Sequence, residues 1–379
     1  MKDSKTNICL IHDMFLYRGG AERFNIMMAR ALGADLAALF FSPDGLDPRS
    51  LGFVGKMIPF GSMRPVSWET GLGKLVRQLY LKWRVVFHTG FLREYDTVIF
   101  SNDCLSAIRN ARKWARKIYY AHSIPRYLFD QREFYYKKVP VLLRPVYIVM
   151  RWLWEWMYRR ELNQVDEIYV NSRNLQVAMR QYLGRESEII HPPVDTDYFV
   201  PLQIEESPEK WDYYLSFSKL SSLKRVNRTV EAFREMPDKK LLVIYGENDP
   251  QKDEIMVMAK GCDNITFLRL SDNNELPQYI ARAIAVIFIA KNEDFGMVAL
   301  ESMSCGVPVI GVREGGIQET VIDGETGILI SPEAPIDELK IAVESLDLAR
   351  AHSMRDACIA RAEQFSLKNF EKIVREKFL

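Results

Sequence analysis

Short apolar runs alternate with amphipathic stretches along most of this chain. Ile8–Ile11 is apolar and leads through a loop, His12–Gly20, into a helical pattern over Ala21–Leu32. Strand, loop and helix in that order form the first unit of a parallel sheet. Apolar runs at Leu36–Phe41, Thr97–Ser101, Lys117–Ala121 and Glu167–Asn171 predict further buried strands. Glu188–Phe199, EIIHPPVDTDYF, holds two prolines and no helical period. It predicts a strand followed by an extended connection and marks a domain boundary. A second series follows, with strands at Leu215–Ser218, Lys240–Tyr245, Ile265–Leu268, Val286–Ile289 and Val307–Val312. Helices are predicted at Val226–Glu235, Glu275–Ala283 and Val298–Ser304, and mostly helical chain over Ile336–Phe378. The expected fold class is therefore α/β: two Rossmann-like doubly wound domains, residues 1–196 and 197–364, facing each other across an interdomain cleft. Ligands of such sheets bind beyond the carboxyl ends of the strands.

Composition changes this picture little. At 379 residues and 48% hydrophobic, the chain can bury two cores without staples. Disordered, collagen-like and disulfide-scaffold classes are excluded. No apolar stretch reaches the roughly 18 residues of a spanning helix, and MKDSKTNICLIHD carries too short a run for a secretory signal. The five cysteines are scattered with no C-x-x-C pair, so reduced thiols, a cytoplasmic location and no structural zinc are expected.

Charge changes it more. The net +1 hides a basic half, residues 1–200 with 29 basic and 20 acidic side chains, and an acidic half with 22 and 30. Residues 51–150 alone hold 17 basic against 6 acidic. A basic half suits an anionic surface, whether membrane, nucleic acid or a pyrophosphate-bearing substrate, although a chance spread over solvated surface has the same sign. No nucleic-acid recognition motif accompanies it.

The densest chemistry lies in VIFIAKNEDFGMVALESMSCGVPVIGVREGGIQETVIDGETGILI, Val286–Ile330. A strand runs into Glu293-Asp294-Phe295-Gly296 and a helix begins. A helix N-terminus with unpaired N–H groups suits a phosphate. Glu301, just over a turn inside, can take two vicinal hydroxyls such as those of a ribose. Acids near a helix start also simply complement its dipole. In LSFSKLSSLKR, Lys219 and Lys224 sit between a strand and a helix, where two cations can neutralise a diphosphate; Arg225 is placed to assist, and a solvated basic loop is the plainer alternative. Gly19-Gly20 opens the first helix with an anion-friendly turn, a pattern that loop geometry alone also produces. His122 follows an apolar strand directly, at a carboxyl end.

These residues resemble glycosyltransferase family four, the retaining, sugar-nucleotide-dependent enzymes of the GT-B fold. The resemblance rests on Glu293 and Glu301, Gly306-Val-Pro-Val-Ile310, Gly315-Gly316 and Glu319-Thr-Val321. It implies that Glu301 binds the ribose and Glu293 a donor-sugar hydroxyl. The N–H groups of Phe295, Gly296, Met297 and Val298, beside Asp294, would hold sugar and β-phosphate, and Gly19 and Gly20 would close over the phosphates. Lys219, Lys224 and Arg225 would stabilise the leaving diphosphate without a metal or other cofactor. The family often carries Arg where Lys219 stands, so bidentate gripping is lost there. His122 would touch the donor sugar, and Asp13, Arg126 and Tyr127 the acceptor. The resemblance also implies a C-terminal helix, about 365–379, packed back on the first domain. His122-Ser-Ile-Pro-Arg-Tyr127, the Glu-Asp-Phe-Gly form and Pro192-Pro-Val-Asp195 look most like the mannosyltransferase-like branch, which extends polysaccharides or lipid-linked glycans, often from GDP-mannose.

Other sugar-nucleotide enzymes of the same fold remain as alternatives, an epimerase or a pyridoxal-dependent phosphorylase, as does a non-catalytic binding protein. Finally, Val139–Glu161 mixes three tryptophans with Arg144, Arg151, Arg159 and Arg160. Either it meets an anionic membrane, helped by the basic runs Lys74–Arg84 and Arg109–Lys117, or it is a core helix with one charged stripe.

Overall fold

The computed structural model describes residues 7–16, 19–43, 45–61, 71–137, 139–200 and 212–379, with the side chains of 71–76 and 273 outside the description. Lys74, at the head of one basic run, is among those six side chains.

The chain divides into two compact units. The first contains residues 1–190 and 371–379. Its sheet runs β3 (Met57–Pro59), β2 (Asp35–Ala38), β1 (Ile8–His12), β4 (Thr97–Ser101), β5 (Arg116–Ala121), β6 (Glu167–Val170), β7 (Glu188–Ile189), with every described pairing parallel. β1 and β4 are buried at every position, which is why they read as unbroken apolar runs rather than alternating ones. β1 pairs with β2 on one side, Leu10 opposite Leu36, and with β4 on the other, Leu10 opposite Ile99. Strand order therefore reverses between β1 and β4, and a doubly wound sheet opens its binding crevice at such a reversal.

The second unit contains residues 191–370. Its parallel sheet runs β10 (Ile265–Leu268), β9 (Lys240–Ile244), β8 (Tyr213–Ser216), β11 (Val286–Phe288), β12 (Val309–Val312), β13 (Gly327–Ile330). Here the reversal lies between β8 and β11, the two strands that lead into the Lys219 loop and the Glu293 loop.

Several boundaries differ from the sequence reading. The first division falls at 190/191, six residues before 196/197, because His191 stacks on Phe295 and Val194 bridges Ser366 within the second unit. The second falls at 370/371, inside the last helix, Leu367–Phe378. Its tail is anchored on the first unit: Arg30 pairs with Glu371 at 2.7 Å, and Arg375 Nε donates to the Ala31 carbonyl at 3.1 Å. The Leu36–Phe41 run is a strand only to Ala38, and Phe41 adds an isolated bridge to Phe15. β3 and β13 went unread: β3 has no buried position and so no buried run, and β13 opens on Gly327.

The helix Arg144–Leu162 is not a core helix. Only Tyr158, Glu161 and Leu162 are buried, whereas Val149 is 64% and Trp152 65% exposed. Its charged stripe is the more sheltered face: Glu155 takes Arg159 at 2.9 Å and Arg151 at 3.6 Å. Among the described residues no helix is long and apolar enough to cross a membrane.

Candidate functional site

In the second unit the site is built on two loops and one turn. Gly315 and Gly316, in the turn after β12, lie against the back of the Glu293–Phe295 loop. A Cβ on Gly315 would fall 2.4 Å from the Glu293 carbonyl oxygen, and its φ of +62° is one that side-chain-bearing residues avoid. The Gly316 N–H donates to that same carbonyl at 2.7 Å. Lys291 N–H donates to the Leu223 carbonyl at 2.7 Å and ties the loop after β11 to the loop after β8. That tie brings Lys224 Nζ to 2.6 Å from Glu293 Oε2, with each side chain 25% exposed. The ammonium also rides 5.1 Å above the Phe288 ring. Phe295 is buried between His191, stacked at 5.1 Å, and Phe365 at 5.8 Å.

Gly296, at φ +90°, then starts the helix Met297–Ser304 with no side-chain cap. Its first N–H groups belong to Met297 and Val298, and the half-buried Glu301 follows one turn in. Lys219 is exposed and makes no hydrogen bond or ion pair among the described residues. It borders a hollow of about 530 Å³ with Phe217, Tyr245, Gly246, Arg269 and Leu270, at the carboxyl ends of β8, β9 and β10. Asp249 shapes its floor by accepting the N–H groups of Gly246 at 2.9 Å and Leu220 at 3.0 Å.

Arg225 is placed elsewhere than expected. It is buried, takes φ +55°, and gives its guanidinium to Glu314 at 2.8 Å and the Pro332 carbonyl at 2.5 Å. It ties together the loops behind β12 and β13, so it is committed to the framework rather than aimed at a diphosphate.

In the first unit a polar cluster fills the β1/β4 reversal. His12 ends β1 and is buried. Its Nε2 lies 2.9 Å from Asp13 Oδ1 and its Nδ1 3.1 Å from Ser101 Oγ, at the end of β4. Burial penalises the imidazolium, but the Asp13 charge and hydrogen bond outweigh it, so His12 is more basic than an ordinary imidazole. Burial raises Asp13, and His12 together with the Met14 N–H brings it below the usual carboxylate range. His122 directly follows β5, half-buried, edge-on to Phe24 at 5.0 Å and to Tyr120 at 4.8 Å. Burial, then the neighbouring His12, lowers it to about 3. Asp13, Arg126 and Tyr127 line one hollow of about 280 Å³, with Asp103, Ser123 and Tyr135. Gly19 and Gly20 begin the helix Gly20–Leu32, where a Cβ on Gly19 would strike the Glu22 carboxylate.

Residues 202–365 match the family model described as glycosyl transferases group 1, and residues 18–198 match glycosyltransferase family 4. The chain belongs to glycosyltransferase family four. The alpha-1,3/1,6-mannosyltransferase ALG2 of Mus musculus is 25% identical over 76% of this chain and 70% of its own length, which supports the mannosyltransferase-like branch. The N-acetyl-alpha-D-glucosaminyl L-malate synthase of Bacillus anthracis is 31% identical over 43% of each chain. Among solved structures, sucrose-phosphate synthase from Thermosynechococcus elongatus superposes with a TM-score of 0.76 at 18% identity over 98% of both chains. Anabaena HepE in complex with UDP-glucose does so at 0.72 and 20%, again over 98% of both. These are GT-B glycosyltransferases, and the fold of this chain is theirs.

In this glycosyltransferase the sequence reading passed over Asn25, Ser101 and Asp103. Asn25 is polar within the apolar run Phe24–Met28 and Ser101 closes the run Val98–Phe100, which was the available signal; Asp103 carried none. Their meeting place depends on which strands neighbour β1. Among the described residues no cluster of three His, Cys, Asp or Glu side chains is placed to hold a metal ion.

Proposed function

We propose that this chain moves a hexose, with mannose favoured, from a nucleotide diphosphate sugar to a glycan or lipid-linked glycan, with retention at the anomeric carbon. The observation that carries this is the Lys224–Glu293 pair at the head of an uncapped helix, with Lys219, which has no hydrogen bond or ion pair among the described residues, earlier in the same loop. The helix tip and the two lysines suit a diphosphate whose charge grows as the sugar leaves. Glu301 suits the ribose, and the hollow beside Lys219 offers room for the base. As the anomeric carbon–oxygen bond breaks, its electron pair stays on the β-phosphate oxygen. The acceptor hydroxyl attacks from the same face and passes its proton to that oxygen. No general base and no metal enter this scheme.

The hollow that holds Asp13, Asp103, Arg126 and Tyr127 suits an acceptor rich in hydroxyls, because two carboxylates face a single guanidinium. Tyr127 packs edge-on to Trp154 of the helix Arg144–Leu162 at 5.9 Å. Beyond it stand the exposed Val149, Trp152 and Trp156, with Arg160 over the Trp156 ring at 5.5 Å. Exposed Trp and Val beside Arg fit a peripheral contact with anionic membrane, and such a site would receive a lipid-borne acceptor.

The test is a thermal-shift screen over GDP-, UDP- and ADP-sugars, followed by transfer and donor hydrolysis in excess EDTA. Stabilisation by one donor class and a product of unchanged anomeric configuration are expected. Lys219→Ala should lower kcat on the order of 100-fold. Binding without any turnover would point to a non-catalytic protein, and strict metal dependence would falsify the metal-free scheme. Sedimentation with anionic vesicles at low salt tests the membrane contact.

A further inference from the structure

We infer that Asn25 is a positioning residue that holds His122 as its Nδ1–H tautomer. Asn25 lies on the inner face of the helix Gly20–Leu32 and is fully buried. Its Nδ2 stands 2.9 Å from the Ala21 carbonyl, 3.1 Å from His12 Nδ1 and 3.2 Å from His122 Nε2. A carbonyl has no proton to give, so the amide atom facing Ala21 is the nitrogen, and both imidazole nitrogens therefore meet an NH₂ group. A proton on His12 Nδ1 could turn to the Ser101 hydroxyl, but one on His122 Nε2 would face only the amide nitrogen, which accepts nothing, so His122 Nε2 is bare.

The donors then divide without conflict. His12 keeps its proton on Nε2, toward Asp13. The Ser101 hydroxyl, 3.1 Å away, serves His12 Nδ1. Asn25 gives one N–H to Ala21 and the other to His122 Nε2. The His122 proton is left on Nδ1, which makes no hydrogen bond among the described residues. Phe24 and Tyr120 meet the ring edge-on and hold its plane. The depressed basicity of His122 agrees, because a proton on Nε2 would displace the amide donor.

A second observation singles out the amide. Asn25 Oδ1 is buried with no partner among the described residues. A leucine of the same size would avoid that cost, so the amide serves its donor end. Where His122 meets the donor sugar, as the family resemblance implies, Asn25 makes it a hydrogen-bond donor to a sugar oxygen. The tautomer itself does not depend on that reading.

Nitrogen-15 NMR of the imidazoles in the full chain at pH 7, assigned by loss of signals in His122→Gln, reads the tautomer directly. The expected result is protonated Nδ1 and bare Nε2, the reverse of an imidazole free in water. An Nε2–H form of His122 in the native chain overturns the inference. Asn25→Asp keeps the shape but can only accept, and Asn25→Ala removes the group. Both should move His122 to Nε2–H and lower kcat at least tenfold, with nucleotide binding retained. A fall in melting temperature with the His122 tautomer unmoved would mean that Asn25 only fills space, and the inference fails. A moved tautomer with full transfer upholds Asn25 as the setter and removes His122 from the donor contact.

Discussion

Replacing Gly316 with alanine probes how closely the glycine turn sets the site. Gly316 has φ −72° and ψ −12°, which alanine adopts freely, so the perturbation is steric alone. The added Cβ would stand 2.4 Å from the Asp294 carbonyl oxygen and 2.4 Å from Phe295 Cα, where ordinary contact begins at 3.4 Å. Both obstacles are backbone, so the loop has to retreat by about 1 Å. It cannot retreat freely, because Phe295 is wedged between His191 and Phe365. A shift of that size carries Glu293 away from Lys224, whose 2.6 Å contact lengthens beyond hydrogen-bond range. Overpacking of this kind costs about 1–3 kcal/mol. For a domain of this size that lowers the melting temperature by roughly 2–10 °C. A misplacement near 1 Å costs about 100-fold in rate. Calorimetry and initial rates of transfer, measured well below the transition, read the two effects separately. Gly90→Ala is the control, since nothing lies within 4 Å of its Cβ. A Gly316→Ala enzyme with native melting and native rate would refute the claim that this turn sets the Glu293 loop.

Glu301→Ala should lose about 10- to 100-fold in donor affinity or turnover, at roughly 1.5–3 kcal/mol per charged hydrogen bond; unchanged donor titration and turnover would remove it from the ribose. Arg225→Ala should cost about 3–5 kcal/mol, because Glu314 and the Pro332 carbonyl lose their partner; chemical denaturation checks the cost, and unchanged donor KM in the surviving fold separates framework from phosphate grip. His122 carries a pH prediction. Its folded pKa, about 3, lies below the ordinary imidazole value, so the unfolded chain takes up the proton first as pH falls. Its contribution is present at neutral pH and is lost on acidification from about pH 6.5 toward 3, at up to about 1.4 kcal/mol per pH unit. Urea unfolding of native chain and His122→Gln at pH 7, 6 and 5 should show their difference shrink or change sign on acidification; a constant difference contradicts the shift.

The amino-acid sequence by itself determined the strand–helix alternation, the two successive sheets and the helix tip at Gly296. Parallel strands buried on both faces read as apolar runs, as at Ile8–His12 and Thr97–Ser101. A helix tip with its preceding glycine, as at Gly296, is a matter of neighbours in the chain, so the places of Glu293, Phe295 and Glu301 around that tip were legible. The edge strand β3 was not, because none of its three positions is buried and it leaves no buried run. Arg225 was misread for a different reason. Its spacing beside Lys224 matches a phosphate loop, but a positive φ turns its side chain toward Glu314, 89 residues away. The Asn25 cluster was equally out of reach, since His12, Ser101 and His122 meet only because β1, β4 and β5 are neighbours in the sheet. Local pattern determines which elements form. Which side chains share a proton is decided by strand order, and strand order comes from packing across the whole unit.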